Sequence, residues 1–445
     1  MRILLIDPVT TARTVGIDRR VKLRKGIGYP GIGLATVAAL TPPGIDVRVI
    51  DESVEEIDLD SRYDLVGIAV QAPTAPYAHE LASRFRARGT PVVLGGIHVS
   101  LNPEEALPHA DALVIGEAEL TWSGLLEDFE RGHLEKIYRA PSLADLDRSP
   151  IPRRDLLHAQ RYRIANVVQS SKGCPYRCEF CSLNVYVGYP VRLRSVPRVL
   201  DEIRSLAGDQ FLFADDNLYA DREHAAALLH ALLPMGKRWV AETTWHIAFD
   251  EEVLQLARRG GCVGLFVGFD SINRQTKIAK VPPEGDVQAT YIQAIRNIRR
   301  HGIPVVAAFV FGLDNDDTTV FERSLGVVQR GGADLVNFST LIPYPGTPIF
   351  NRLKSEGRIT DWDWSHYISP NVCFRPNRMT AEELQEGVTR AQREFYATEN
   401  LLCRALQAFH RFGWAVGLLS GGLNLAQKRN WGKGSSASRQ ERMGS

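Results

Sequence analysis

The chain has 445 residues, a hydrophobic fraction of 44% and a formal net charge of +1. The length predicts about three domains, and the near-neutral charge gives no electrostatic reason to expect a nucleic acid or an anionic membrane as partner. The opening stretch MRILLIDP is typical of a buried strand rather than a signal peptide, and no apolar run reaches the roughly 18 residues of a membrane span. We therefore expect a cytoplasmic protein with no transmembrane segment and no nucleic-acid partner.

Residues 1–135 predict a doubly wound parallel sheet, because apolar β-rich runs alternate with helical stretches. The predicted strands are Ile3–Ile6, Val47–Ile50, Leu65–Val70, Val92–Leu94 and Ala112–Ile115, and the predicted helices are Leu34–Leu40, Ala78–Arg88 and Thr121–Glu130. Ligands of such sheets bind beyond the carboxyl ends of the strands, where glycine allows a close backbone approach. The candidate ligand contacts at these ends are Pro8, Gln71, Thr74, Gly95, Gly96, His98, Gly116 and Glu117. The alternative, that the glycines only make tight turns, stays open.

The second half of the chain repeats the alternation of strands and helices after a linker. Residues 136–165 are the predicted linker, since Pro141, Pro150 and Pro152 break regular structure. In residues 166–370 we predict strands at Val167–Ser170, Phe211–Ala214, Trp239–Glu242, Gly264–Gly268, Val305–Phe311 and Val336–Leu341. Six strands are too few for a closed eight-stranded barrel, and catalytic groups of parallel barrels gather where strands end in loops.

Three cysteines follow the first of these strands in the stretch GCPYRCEFC, with the spacing C-x3-C-x2-C. Thiolate is the preferred ligand of zinc and of iron–sulfur clusters, but no fourth cysteine or histidine lies nearby to close a zinc site. Three ligands around a four-iron cluster would leave one iron open to a substrate. Incidental cysteines, a zinc site completed from a distance and a disulfide pair remain as alternatives. The other cysteines, Cys262, Cys373 and Cys403, are scattered and form no second cluster motif.

The cysteine motif resembles the signature of the radical S-adenosylmethionine (SAM) enzymes, with Phe180 in the aromatic position before the last cysteine. The resemblance implies that Cys174, Cys178 and Cys181 hold a [4Fe-4S] cluster whose open iron binds SAM. It also implies a partial (β/α)6 barrel, reductive cleavage of SAM to a 5'-deoxyadenosyl radical, and an external electron donor of the flavodoxin or ferredoxin type. A reducing compartment suits such a cluster.

Polar residues and glycines at the strand ends match further positions of that family. The resemblance implies SAM contacts from Phe180, Asp215, Asp216, Asn217, Asp270, Ser271, Gly312 and Leu313. The segment Asp215–Asn217 could equally satisfy backbone amides as an Asx cap. Glu242 and Tyr344 are predicted to face the substrate, although a cap and a proline-rich turn are the plainer readings of these two residues.

The first domain resembles the cobalamin-binding domain found before many radical SAM barrels. The matching segments are PGIGLA, VID, VGIAVQAPT, LGGIH and IGEAE, which lie in order between residues 30 and 119. The chain departs from the pattern in one respect, because it has no D-x-H-x-x-G motif and its first histidine is His79. The resemblance therefore implies cobalamin without a lower axial histidine from that loop.

Together these features predict an α/β protein with a flavodoxin-like (Rossmann-like) domain, a partial radical SAM barrel and a helical C-terminal region. The expected function is hydrogen abstraction from an unactivated carbon of a small-molecule or lipid-like substrate, followed by C-methylation from methylcobalamin. A radical cyclase, ring-rearranging or oxidising enzyme without methyl transfer is the alternative enzyme, and a non-catalytic cobalamin or cluster-binding sensor is the alternative of another class.

The C-terminal region is predicted to be helical over residues 371–430. Thr380 begins a long helical run with the capping sequence T-A-E-E and the run extends to about Phe409. The segment 412–425 is apolar but too short and glycine-rich to span a bilayer, so it is either a helix packed on the barrel or a lipid-facing or lid element. Residues 431–445 have the composition of a disordered tail.

Overall fold

The computed structural model describes residues 1–9, 28–188, 190–273 and 284–397. The apolar segment 412–425, the tail 431–445 and the part of the predicted C-terminal helix beyond 397 lie outside the described residues. Within the described ranges, no helix is both long and apolar enough to cross a membrane.

The first domain is built on a six-stranded parallel sheet, as the sequence predicts. Its strands are β1 (Arg2–Asp7), β2 (Asp46–Asp51), β3 (Leu65–Ala69), β4 (Val92–Gly95), β5 (Ala112–Ile115) and β6 (Ile137–Arg139), in the order β2-β1-β3-β4-β5-β6. This is the flavodoxin-like order with one strand added, and its switch point lies between β1 and β3. Strand β6 was not predicted from the sequence; it pairs with β5 and lies inside the segment assigned to the linker.

Helices cover both faces of this sheet and create two separate cores. They are α1 (Gly33–Leu40), α2 (Ala75–Arg86), α3 (Ile97–Leu101), α4 (Pro103–Ala106) and α5 (Trp122–Glu130). Helix α2 begins three residues before its predicted start because Pro76 stands in the first turn, where its missing N–H costs nothing. Alternate residues of β1 serve the two cores: Leu4 and Ile6 face one, and Ile3 and Leu5 face the other.

The second domain contains another six-stranded parallel sheet, with edge strands β7 and β14. The strands of this half are β7 (Val167–Val168), β8 (Ser171–Lys172), β9 (Arg192–Leu193), β10 (Gln210–Phe213), β11 (Arg238–Thr244), β12 (Cys262–Asp270), β13 (Val305–Phe311) and β14 (Leu335–Thr340). The order β14-β13-β12-β11-β10-β7 confirms the predicted partial barrel. Strands β8 and β9 form a separate antiparallel ribbon that pairs Lys172 with Arg192.

The described part of this half contains eight α-helices, of which those between successive sheet strands cover the outer face of the sheet and leave its inner face partly open. The eight helices are α6 (Ser182–Tyr186), α7 (Val196–Ser205), α8 (Arg222–Leu232), α9 (Glu251–Arg259), α10 (Val287–Arg300), α11 (Val320–Gly331), α12 (Pro348–Ser355) and α13 (Ala381–Phe395). Along β13, buried residues such as Phe309 alternate with half-buried ones such as Ala308 and Val310. A parallel sheet covered on both faces is normally apolar throughout, so the half-open face marks a concave space inside the barrel.

Helix α13 closes one end of the barrel sheet. Thr380 caps it as predicted: its hydroxyl accepts a hydrogen bond from the amide of Glu383 (3.1 Å), and the Glu383 carboxylate accepts one from the amide of Thr380 (2.8 Å). The helix ends at Phe395 rather than continuing unbroken to about residue 409. Gln392 and Tyr396 bond to the backbone of β14, which fixes α13 against the sheet.

Candidate active site

The three cysteines lie in the loop 173–191, which connects the two strands of the β8–β9 ribbon. Cys174 and Cys178 are buried and Cys181 is half-buried. The loop starts at Gly173, whose φ is +96° and whose amide donates to a carboxylate oxygen of Asp216 at 2.7 Å. A Cβ at Gly173 would lie 2.7 Å from the carbonyl oxygen of Pro190, so only glycine fits this position.

The segment that follows β10 holds neighbouring strands together. Asp215 is buried and accepts hydrogen bonds from the amide of Ser170 (2.7 Å) and the hydroxyl of Ser171 (2.9 Å). Burial raises the pKa of Asp215 to about 6, although these hydrogen bonds favour the ionised form. The contacts made by Asp215 and Asp216 therefore anchor the strand and loop that lead to the cysteines.

Asn217 joins β10 to β11 in the same manner. Its buried side-chain oxygen accepts from the hydroxyl of Thr243 (3.2 Å), the amide of Thr244 (3.3 Å) and the amide of Tyr219 (3.2 Å). The last contact is the Asx turn that the sequence offered as one alternative. The side-chain nitrogen of Asn217 is buried without a protein partner, so this amide retains donor capacity for a ligand.

The end of β12 brings a carboxylate close to one of the three cysteines. Asp270 has a φ of +60°, which is rare for a residue other than glycine, and the register with β13 is irregular at this point. Its carboxylate lies 3.9 Å from the sulfur of Cys178. Ser271 is buried next to it, and its hydroxyl accepts from the amide of Asn273 at 3.0 Å. A strained acidic residue beside a candidate cluster ligand is typical of a functional site.

Gly312 and Leu313 follow β13 and turn their amides toward a carboxylate that the sequence analysis did not single out. Both amides donate to one oxygen of Asp316, at 3.0 and 3.1 Å, while Asn273 donates to the other at 2.8 Å. Burial raises the pKa of Asp316 to about 6. An aspartate a few residues after a glycine at a strand end was the available signal, since such carboxylates often bond to nearby backbone amides.

The two residues predicted to face the substrate lie in different surroundings. Glu242 is exposed on the inner face of β11, in register with Phe266 of β12. Tyr344 follows β14 and is partly buried against the barrel core, which raises the pKa of its hydroxyl. Phe180, the aromatic residue of the cysteine motif, also packs partly buried against this core.

A cavity of about 340 Å³ lies against one face of the first sheet and is closed by the linker and by residues of the second half. Among the residues predicted at the strand ends, Gly95, Gly96 and Gly116 line it, together with Gly67 and Trp122. A Cβ at position 67 would lie 2.8 Å from the side chain of Leu5, so a residue larger than glycine does not fit there. The apolar lining of the cavity comes mainly from β1, β3, β4, β5 and α1, while the second half adds polar groups that include Lys172, Arg194 and Glu202.

The remaining predicted ligand contacts of the first domain do not line this cavity. Pro8 is buried at the end of β1, and Gln71 is exposed. The hydroxyl of Thr74 accepts from the amide of Gln71 at 3.0 Å and thereby orders the turn before α2. His98 is buried, with its Nε2 at 3.1 Å from Glu105, and its ring meets the edge of Trp364.

Glu117 is buried between the two halves of the chain. Its carboxylate accepts from Lys172 (3.0 Å), from both terminal nitrogens of Arg192 (2.7 and 2.8 Å) and from the amide of Ala144 (2.7 Å). Burial alone would raise the pKa of Glu117, but Arg192 and Lys172 outweigh it and lower the pKa to about 2. These two cations were not predicted as partners, because nothing in the sequence pairs them with a glutamate more than fifty residues away.

Comparison with known proteins agrees with this two-part arrangement. Residues 26–126 match the B12 binding domain, residues 168–323 match the radical SAM superfamily, and residues 347–418 match a domain of unknown function, DUF4070. A bacteriochlorophyllide d C-12(1)-methyltransferase of Chlorobaculum tepidum is 30% identical over 401 residues, which cover 87% of each chain. The chain belongs to the cobalamin-binding radical SAM family.

Two further matches place this radical SAM enzyme among its relatives. An anaerobic magnesium-protoporphyrin IX monomethyl ester cyclase of Cereibacter sphaeroides is 26% identical, over 69% of this chain and 55% of the cyclase. The solved structure of the radical SAM methyltransferase TsrM of Kitasatospora setae, with cobalamin and a [4Fe-4S] cluster bound, has a TM-score of 0.67 and 16% identity, and covers 98% of this chain and 99% of that one. At this identity the likeness shows a shared fold.

The cofactors of this family are a [4Fe-4S] cluster, SAM and cobalamin, and the residues of the enzyme fit them. No three His, Cys, Asp or Glu side chains in the described ranges converge on the position of a single metal ion. A cluster does not require such convergence, because each cysteine binds a different iron atom. A single loop whose start is fixed by Gly173 and Asp216 suits three ligands of that kind.

The cavity of the first domain suits the second cofactor. Cobalamin is large and carries an apolar nucleotide base, so it needs a deep apolar recess and a close backbone approach. The cavity of about 340 Å³ provides such a recess for the nucleotide base, although not for the whole cofactor, and Gly95, Gly96 and Gly116 line it at the carboxyl ends of β4 and β5. This is also the edge of the sheet at which open α/β domains bind their ligands.

Proposed function

We propose that this radical SAM enzyme methylates an unactivated carbon of a large, predominantly apolar substrate. When bound, the cluster with SAM supplies radical chemistry at a C–H bond, and cobalamin supplies a transferable methyl group. The observation that carries the proposal is the placement of the cysteine loop between two spaces, the glycine-lined cavity of the first domain and the half-open inner face of the barrel. The methyltransferase relative supports methyl transfer, since it is more similar and matches over more of both chains than the cyclase.

The cluster and SAM are assigned to residues around the carboxyl ends of the barrel strands. Cys174, Cys178 and Cys181 would hold the cluster. The strand-end residues that would surround SAM are Phe180, Asp215, Asp216, Asn217, Asp270, Ser271, Gly312 and Leu313. Several of these already bond to neighbouring backbone, so they would shape the site more than they contact the ligand. Asn217, with its uncommitted side-chain nitrogen, and Asp270, close to Cys178, are the members best placed to reach it.

Cobalamin is assigned to the first domain, with Gly95, Gly96 and Gly116 along the cavity. Pro8, Gln71, Thr74, His98 and Glu117 would act around it by ordering the turns and the interface. The predicted division of the chain, with a first domain to residue 135, a linker of 136–165 and a barrel of 166–370, fits this assignment. Strand β6 indicates that the first sheet extends a few residues into the linker.

The substrate is assigned to the inner face of the barrel sheet. Phe266, Ala308 and Val310 give this face an apolar centre, and Gly268 beside Ala308 widens it. Glu242 and Asn337 are exposed near its two sides, on β11 and β14. A broad apolar molecule with polar groups at its edges fits this pattern, and Tyr344 would form part of the wall. The relatives are named for bacteriochlorophyllide d and for a magnesium-protoporphyrin ester, which are the first substrates to test.

The proposed chemistry also needs electrons and a reducing environment. An external donor of the flavodoxin or ferredoxin type would deliver the electron, and the cytoplasm would protect an oxygen-sensitive cluster. Burial of the loop cysteines Cys174 and Cys178 is consistent with the need to exclude oxygen and water from a radical reaction.

Product analysis of the anaerobic enzyme tests the proposal. The reconstituted protein is incubated with SAM carrying a deuterated methyl group, a reductant, and bacteriochlorophyllide d or magnesium-protoporphyrin IX monomethyl ester. A trideuteromethyl group in the product, with S-adenosylhomocysteine and 5'-deoxyadenosine formed together, supports methyl transfer. Substrate conversion with 5'-deoxyadenosine alone would replace the proposal by a cyclase, rearranging or oxidising activity. Formation of neither product with any substrate would favour the sensor.

A further inference from the structure

A buried cluster of ion pairs between the two halves of the enzyme is centred on Glu117. This residue follows β5 and Gly116 at the edge of the first sheet, and its carboxylate is only 3% exposed. It bonds to Lys172 and Arg192, which face each other across the β8–β9 ribbon. These two residues are the entrance and exit of the loop that carries all three cysteines. Glu117 thus holds the base of the cysteine loop from the cobalamin-binding side.

The same loop forms part of the cavity wall. Lys172 and Tyr186 both line the cavity together with Gly116. The hydroxyl of Tyr186 donates to the carbonyl of Gly116 at 3.1 Å, so the segment Gly116–Glu117 contacts the cysteine loop at two separate points. A ligand that fills the cavity therefore presses on groups whose positions also set the conformation of the loop.

We propose that Glu117 is a positioning residue that couples occupation of the cobalamin cavity to the stability of the cluster-bearing loop, through Lys172, Arg192 and the Tyr186–Gly116 contact. Coupling of this kind is reciprocal in binding free energy, so cobalamin strengthens retention of the cluster and the cluster strengthens retention of cobalamin. The proposal rests on the binding of the two cofactors and holds whether or not the enzyme transfers a methyl group.

Chelator-driven loss of the cluster measures this coupling without any turnover. The cluster-containing enzyme is mixed anaerobically with excess EDTA, with and without saturating hydroxocobalamin, and bound iron is followed over time. Typical coupling between two sites changes an equilibrium by about five-fold or more. Because the loop must open before the chelator reaches the iron, stabilising the closed loop lowers the rate of iron loss, and we expect hydroxocobalamin to slow that loss by about five-fold in the wild-type enzyme. Glu117→Gln keeps the shape of the side chain and removes its charge. Lys172 retains its contact with Glu119 at 3.1 Å, so we expect the variant to lose most of the protection.

A matched control separates coupling from the loss of any buried ion pair. Asp334 is equally buried and accepts from Arg299 through two nitrogens (3.0 Å each) and from the amide of Val305 (3.0 Å), far along the chain from the cysteine loop. Asp334→Asn removes a comparable charge, and we expect it to retain the wild-type protection factor even if its melting temperature falls.

Tyr186→Phe is the second variant and keeps the test decisive should Glu117→Gln not fold. It removes only the hydroxyl that bonds to Gly116, and we expect at least half of the protection to disappear. The proposal is overturned if hydroxocobalamin does not protect the wild-type enzyme. It is also overturned if Tyr186→Phe, and Glu117→Gln where that variant folds, keep full protection. The third contrary result is a loss of protection in Asp334→Asn equal to that in Glu117→Gln.

Discussion

Replacement of Gly173 by alanine should cost the enzyme its cluster while leaving the first domain intact. The glycine has a φ of +96°, and an added Cβ would lie 2.7 Å from the carbonyl oxygen of Pro190, which is backbone of the same loop. The unfavourable backbone conformation costs about 1–2 kcal/mol, and overpacking adds about 1–3 kcal/mol. The lower sum alone, about 2 kcal/mol, reduces the population of the native loop about thirty-fold.

The assay is iron and acid-labile sulfide per chain after anaerobic reconstitution, with hydroxocobalamin binding as a report on the first domain. Gly188→Ala is the matched control, because it lies in the same loop and has a positive φ of +75°, but its Cβ would meet Pro190 and Leu143 at ordinary distances of 3.4 and 3.5 Å. Both substitutions carry the cost of a positive φ, and only Gly173→Ala adds the clash, so we expect Gly173→Ala to lose clearly more iron than Gly188→Ala. Equal iron in the two variants would refute the reasoning.

Four further substitutions test other parts of the site and fold. Cys178→Ala should abolish the cluster, and a variant that still binds a full complement of iron would contradict the ligand assignment. Gly387→Ala should lower the melting temperature by several degrees, because its Cβ would stand 2.2 Å from the ring of Phe321, whereas Gly124→Ala, with nothing within 4 Å, should raise it through helix propensity. Burial raises the pKa of Asp215 to about 6, so the stability that this residue contributes is greatest below about pH 4 and is lost as the pH rises to about 6. The melting temperature of the wild-type enzyme should therefore fall between about pH 4.5 and 7, and Asp215→Asn should show a smaller fall.

The sheet strands were the part of the fold most open to prediction. Runs such as Val305–Phe311 are apolar and β-rich along their whole length, because strands of a parallel sheet pack against helices. The strand Ile137–Arg139 escaped prediction because it is three residues long, lies at the edge and is largely exposed. The start of α2 was misplaced because the run Ala-Pro-Thr-Ala-Pro reads as a turn, although proline is favoured in the first turn of a helix.

Some residues of the candidate site could be predicted from local sequence, and others depend on contacts that only the fold creates. A local motif with its own chemistry, the three cysteines, could be found from spacing alone. The partners of buried charges could not, because a carboxylate such as Glu117 is equally able to bind a ligand or a distant arginine, and only the fold decides which. Asp215 and Asp316 illustrate the same ambiguity, since both follow strands and both accept hydrogen bonds from nearby backbone amides. The assignments of individual SAM and cobalamin contacts therefore stay predictions.

The charged character of the contact at Glu117 is itself informative. Burying a carboxylate with two cations is costly in solvation, and an apolar contact of similar volume is often as stable or more stable. An apolar contact, however, tolerates sliding, whereas a bidentate arginine pair fixes distance and direction. An enzyme that must bring one substrate carbon within reach of two cofactors held by different domains needs a fixed register more than it needs added stability. The loop of Cys174, Cys178 and Cys181 is thus held at its base by the domain with which it must cooperate, which is why its geometry and the cobalamin cavity are expected to respond to each other.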